Sequence, residues 1–179
     1  KHNRREHLND FHLNVAGEYV YDGALYACQS DDAKQRRSKR AVWGMAAILT
    51  VAVAAGGCIP APGMQNCFYV LLPYLGEFLG AASVIWALAK LGMDWGMVRE
   101  YNYKKSVAVL PVRTAVTAVF SLLGIVCELI FFFVNDHAGQ TFFALLYVLL
   151  KLIALLSVLV LRAEIMQAEW DKLPKKDNF

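Results

Sequence analysis

Histidine is scarce in this chain. His2, His7, His12 and His137 all lie outside its long apolar runs, which argues against a bundle that holds haem through paired intramembrane histidines. Metal-site spacing is missing too: there is no CxxC pair and no Cys/His cluster, so no metal and no cofactor are expected. Neither a P-loop nor a GxGxxG between strand and helix occurs, and nucleotide hydrolysis loses its usual phosphate cradle. HExxH and GxSxG are absent, which removes two common hydrolase arrangements. Asp136 and His137 are adjacent, but without a nucleophile or third ligand they read as a polar loop. The chain is therefore expected not to be an enzyme. An activity on lipids or thiols would need catalytic residues that the sequence does not display.

Charge is the second shortage. Charged residues make up 18% and hydrophobic residues 58%, whereas a soluble domain is roughly a quarter charged and half apolar. The apolar excess is concentrated in four runs, at 41–59, 68–89, 115–134 and 141–161. Each is close to the ~20 residues that a helix needs to cross a hydrocarbon core. Backbone groups in lipid must be satisfied within the segment, so helices are the expected form. The fold class is thus an all-α membrane protein, a four-helix transmembrane bundle over 41–161. Polar segments flank it at 1–40 and 162–179. No cleavable leader pattern is present: the first apolar run is long enough to span and reads as a signal anchor.

Basic residues alternate between the connections. KQRRSKR at 34–40 precedes the first run, and Lys90, Arg99, Lys104, Lys105 and Arg113 lie between the second and third. Arg162, Lys172, Lys175 and Lys176 follow the fourth, whereas the two remaining connections contain no Lys or Arg. The positive-inside rule then places both termini in the cytoplasm. The short outer loops and strong basic bias point to a bacterial plasma membrane. The net charge of +3 is accounted for by topology and by anionic headgroups, so a nucleic-acid partner is not expected.

Outside the runs, residues 1–10 show no period. The stretch at 11–21 alternates as a strand does, and Asp22-Gly23 between EYVY and ALYA is a two-residue hairpin signal. A small cytoplasmic β-hairpin is expected there, with an amphipathic segment as the alternative. An isolated hairpin is marginal in water, so it should lean on the inner loop, the headgroups or a partner. Ser30 or Asp31 is placed to cap a helix that continues into the membrane. Trp95, Tyr101 and Tyr103 in the inner loop read as interfacial anchors. The tail is expected to extend the fourth helix towards Pro174. Cys58 and Cys67 bracket the outer loop CIPAPGMQNC, and on an oxidising side they form a possible disulfide.

Three ionisable residues interrupt the runs: Glu77, Glu128 and Lys151. Such residues are costly in lipid and usually face a bundle interior. At ~1.5 Å per residue, Lys151 lies about 15 Å from the outer end of its run, Glu77 about 14 Å and Glu128 about 9 Å. Helical side chains lean towards their own N-terminus, so Lys151 and Glu128 point at each other. A Glu128–Lys151 pair is expected, leaving Glu77 as a second acceptor or a proton or cation site. Gly76 and Gly80 form a GxxxG that lets a helix approach closely. Pro73 invites a kink, and Ala46, Thr50 and Ala54 offer a small-residue stripe.

The expected function is that of a non-enzymatic accessory or structural subunit of a larger membrane complex. Its partners would be lipid and either other membrane subunits or further copies of the chain. The alternative is a small proton- or cation-coupled transporter that uses Glu77 and the Glu128–Lys151 pair.

Overall fold

Long apolar sequence becomes helix here, as the need to satisfy backbone groups internally requires. The computed structural model describes residues 11–13, 17, 19–21, 23–92, 95, 97–135 and 140–173. Helices α1 (Asp32–Cys58), α3 (Phe68–Leu91), α5 (Leu110–Val134) and α6 (Thr141–Gln167) are joined at one end by the short helix α2 (Pro62–Asn66) and by residues 135–140, and α3 leads to α5 through a segment that carries the short helix α4 (Glu100–Lys105). Four helical segments are long and apolar enough to cross a membrane, and the chain is accordingly a multi-pass membrane protein. α1 begins nine residues before the apolar run, with Asp31 at its N-cap position. α6 carries six residues beyond the run.

The helices pack as a square. α1 adjoins α3 and α6, and α5 adjoins the same two, so α3 stands diagonally opposite α6. Small and aliphatic side chains fill the middle layer: Leu49, Ala52, Val53, Ala81, Ala154 and Val158. Ile48, Leu72, Leu79, Trp86, Val119, Leu122 and Leu156 are exposed on the outside, where a bilayer would cover them. The buried stripe of α1 runs Val42, Ala46, Leu49, Val53 and Gly56. Thr50 and Ala54 are exposed, so the expected Ala46–Thr50–Ala54 stripe is not the packing face. The bulkier Leu49 and Val53 supply more apolar area to bury.

Gly76 and Gly80 lie against α5. A Cβ at Gly80 would stand 2.6 Å from the Thr117 hydroxyl, and one at Gly76 would run into the Phe120 ring. α3 continues through Pro73, which is buried. At the far end, Arg113 donates to the Ser83 carbonyl at 2.6 Å. Arg162 donates to the Pro111 carbonyl. Two cationic side chains thus tie α5 to α3 and α6 to α5 at the level where the apolar spans stop.

Five strands occupy that same end or precede it: β1 (Phe11–Leu13), β2 (Tyr19–Tyr21), β3 (Leu25–Cys28), β4 (Val98–Arg99) and β5 (Trp170–Lys172). β1 pairs antiparallel with β2, Phe11 opposite Tyr21. The hairpin expected across Asp22-Gly23 does not form. β3 turns away from β2 and sits between β4 and β5 in a separate sheet. Leu25 is opposite Arg99, and Ala27 is opposite Asp171. Three strands that share an apolar support are more stable than a lone ribbon. The same pairing corrects the expected tail: α6 ends at Gln167, and 170–172 are strand rather than helix.

Beneath this sheet Tyr26 stacks on Tyr103 at 4.1 Å, and Trp170 lies near both Tyr103 and Trp95. Trp95 is buried within a core that runs on into α1, α3 and α6. Trp95 is therefore a core residue of the end cap, the half-buried Tyr103 packs against that core, and Tyr101 is exposed. Residues 1–10, Asp22, Asp136, His137 and Pro174, which entered the expectations above, lie outside the described residues.

Candidate functional site

The polar side chains of the bundle converge on its diagonal. Lys151, on α6, donates from Nζ to Oε2 of Glu77 on α3. Ser121, on α5, donates to Oε1 of the same carboxylate. The Lys151 and Glu77 side chains are 3% and 0% exposed, so water contributes little to their solvation. In such surroundings an ion pair persists only when its remaining lone pairs and protons are also satisfied. Here Ser121 supplies a donor, and two aromatic faces flank the ammonium. Nζ is 4.6 Å from the Tyr74 ring centre and 5.2 Å from that of Tyr147, within cation–π range.

Each contributor sits where helical spacing puts it. Tyr74 and Glu77 are three residues apart on α3, and Tyr147 and Lys151 are four apart on α6. On α5, Ser121, Gly124 and Glu128 share one face. Gly124 borders the lysine: a Cβ there would lie 3.5 Å from Lys151 Cε, in ordinary van der Waals contact. The Tyr74 hydroxyl donates to the Val53 carbonyl of α1 at 3.3 Å, so all four spanning helices touch the network.

The expected Glu128–Lys151 pair is corrected by this geometry, because the ammonium goes to Glu77. Lys151 and Glu77 lie at nearly the same depth and lean in the same direction, so they meet sideways across the diagonal. Glu128 is fully buried, and neither carboxylate oxygen has a hydrogen-bond partner of good geometry. It stands against α2: a Cβ at Gly63 would lie 2.9 Å from the Glu128 carboxyl carbon. The Tyr147 hydroxyl is likewise buried without a partner. The carboxylate left over is therefore Glu128, not Glu77.

Cys58 and Cys67 are free thiols, as are Cys28 and Cys127. The possible Cys58–Cys67 disulfide is not made. The intervening loop folds into α2, whose Pro62 and Gly63 are buried, instead of closing one cysteine on the other. Among the described residues no group of three His, Cys, Asp or Glu side chains is placed to hold a metal ion.

Ser121, Tyr74, Tyr147 and Gly124 were not singled out from the sequence, though a signal exists. Each lies three, four or seven residues from an intramembrane charge, on that charge's own helix face. Compared with known protein families, curated proteins and solved structures, the chain matches none.

Proposed function

We propose that this chain is a non-enzymatic accessory or structural subunit of a larger membrane complex, with both termini on the cytoplasmic side of a plasma membrane, most consistent with a bacterial one. The observation that carries this reading is the closed Lys151–Glu77–Ser121 network. Its charges are spent on one another across the bundle diagonal and leave no free ammonium to greet a substrate. Such a network fixes which helices pair and in what register. The ring of exposed apolar side chains around the bundle offers surface to lipid or to neighbouring subunits. The β1–β2 ribbon belongs to a class that is marginal alone and gains from a docking partner.

The test is purification of the full chain from its native membrane in mild detergent, with mass spectrometry of what stays bound. Stoichiometric membrane proteins other than this chain are expected; a homo-oligomer instead moves the weight to the transport reading below. A monodisperse single chain, stable by itself, contradicts the reading.

A second reading, a proton- or cation-coupled transporter, is favoured by one observation: Glu128 is a fully buried carboxyl group without an ion pair among the described residues, faced by the backbone at Gly63. In reconstituted vesicles Glu128→Gln would then abolish pH-gradient-driven uptake while leaving the bundle folded. Unchanged flux removes Glu128 from any such mechanism.

A further inference from the structure

A cavity of about 260 Å³ lies at the strand-bearing end of the bundle. Its walls come from three parts of the chain. Cys28 ends β3 and Ser30 follows it; Lys34, Gln35, Arg37 and Ser38 lie on the first turns of α1; Trp95 and the end of α6, including Glu164, complete it.

The walls are unbalanced in hydrogen-bonding terms. Trp95 is 4% exposed, and its indole N–H has no partner. The side-chain amide nitrogen of Gln35 is also buried without a partner. An indole nitrogen can only donate, and an amide nitrogen brings two further donors. Buried donors without acceptors are uncommon in folded proteins and call for an explanation. The Cys28 thiol lies 3.6 Å from the Ser30 oxygen as its donor, so the Ser30 O–H remains free to donate.

The charges lean the same way. Lys34 and Arg37 make no ion pair among the described residues. The lone carboxylate of the wall, Glu164, already accepts from Ser38 at 2.8 Å. What the cavity lacks is an acceptor-rich anion with several oxygens. Phosphate has that chemistry, and arginine suits it geometrically. The cavity-lining residues Lys34 to Ser38 also directly precede the first apolar run, a position from which basic residues attract anionic lipid.

We infer that this cavity is a phosphate-binding site, taking either the phosphate of an anionic lipid headgroup or a small soluble phosphate ester, with Trp95, Gln35, Ser30 and Arg37 as donors. The site is independent of the subunit or transport readings, since it shares no residue with the intramembrane network.

The experiment uses the full chain in phosphatidylcholine nanodiscs. Inorganic phosphate and glycerol-1-phosphate are titrated calorimetrically. In parallel, lipid retained from mixed phosphatidylcholine and phosphatidylglycerol discs is counted by native mass spectrometry. Saturable binding of a soluble phosphate, one per chain, assigns the site to soluble esters. Retention of one phosphatidylglycerol per chain without soluble binding assigns it to headgroups.

Either result supports the site if Gln35→Leu and Arg37→Gln each weaken binding about tenfold, the size expected for one charge-assisted hydrogen bond. Arg40→Gln, a nearby basic residue outside the cavity, should leave it unchanged. Trp95→Phe removes the indole donor and should act alike; should it unfold, Gln35→Leu still decides. Absence of binding in both arms overturns the inference, as does an equal loss in Arg40→Gln, which would mean unspecific surface charge.

Discussion

Lys151 has a four-carbon stem with which to reach from α6 across the diagonal to Glu77 on α3. Removing one member of a buried pair strands the other, at a cost of about 3–5 kcal/mol. Lys151→Met should therefore destabilise the bundle by roughly that amount, and adding Glu77→Gln should restore much of it. Glu128→Gln, which breaks no ion pair and keeps an amide oxygen to face the Gly63 backbone, should shift stability by less than about 1 kcal/mol. Thermal or denaturant unfolding in detergent measures Lys151→Met, Glu77→Gln and their double variant as one double-mutant cycle, with Glu128→Gln beside it. Additive losses for Lys151 and Glu77 would mean that the two do not interact. All three intramembrane charges were legible in the sequence, because an ionic group inside an apolar run needs no alignment to be seen. Their pairing was not. Depth and lean were estimated along each helix, but the partner depends on which helices are diagonal neighbours, and that follows from packing between elements distant in sequence. Glu128 looked the better partner through the short 135–140 connection, yet chain proximity did not set side-chain proximity.

Among elements, α3 and α5 meet tightly at Gly76 and Gly80. The Thr117 side chain cannot swing aside freely from a Cβ at Gly80, since its hydroxyl donates to the Arg113 carbonyl at 2.8 Å. Behind it the Thr117 Cα would lie 3.3 Å from the added carbon. Gly80→Ala is thus expected to push the helices apart and cost about 1–3 kcal/mol, as overpacking does. Gly44→Ala, with open space around the added carbon, should have no such cost, and unfolding of the two variants side by side checks the difference. The four long helices were readable from the sequence, since run length and bilayer thickness constrain each other. α2 was not, because five residues starting at a proline carry too little periodicity to announce a helix. β3 was placed in a hairpin with β2 on the strength of Asp22-Gly23. Local turn chemistry lost to two partners that arrive from residues 98–99 and 170–172.

Taken whole, the molecule gathers its N-terminal segment, its central loop and its C-terminal segment into one sheet, with β3 as the middle strand. A proline at Ala27 removes a ladder donor from a central strand, where proline is not tolerated. Ala27→Pro should therefore speed amide exchange across 95–105 and 168–173 while exchange in the spans of α3 and α5 stays slow. Exchange mass spectrometry of the full chain reads both regions, and unaltered rates at 168–173 would contradict the sheet. A second long-range tie, the Lys151–Glu77 bond, has a consequence in time as well as in space. Chains are synthesised from the N-terminus, and this bond joins the second span to the fourth. Through the birth of the third span Glu77 waits in the bilayer without its counter-ion. Only the last apolar segment delivers it, so the molecule's completion and its stability arrive in the same step.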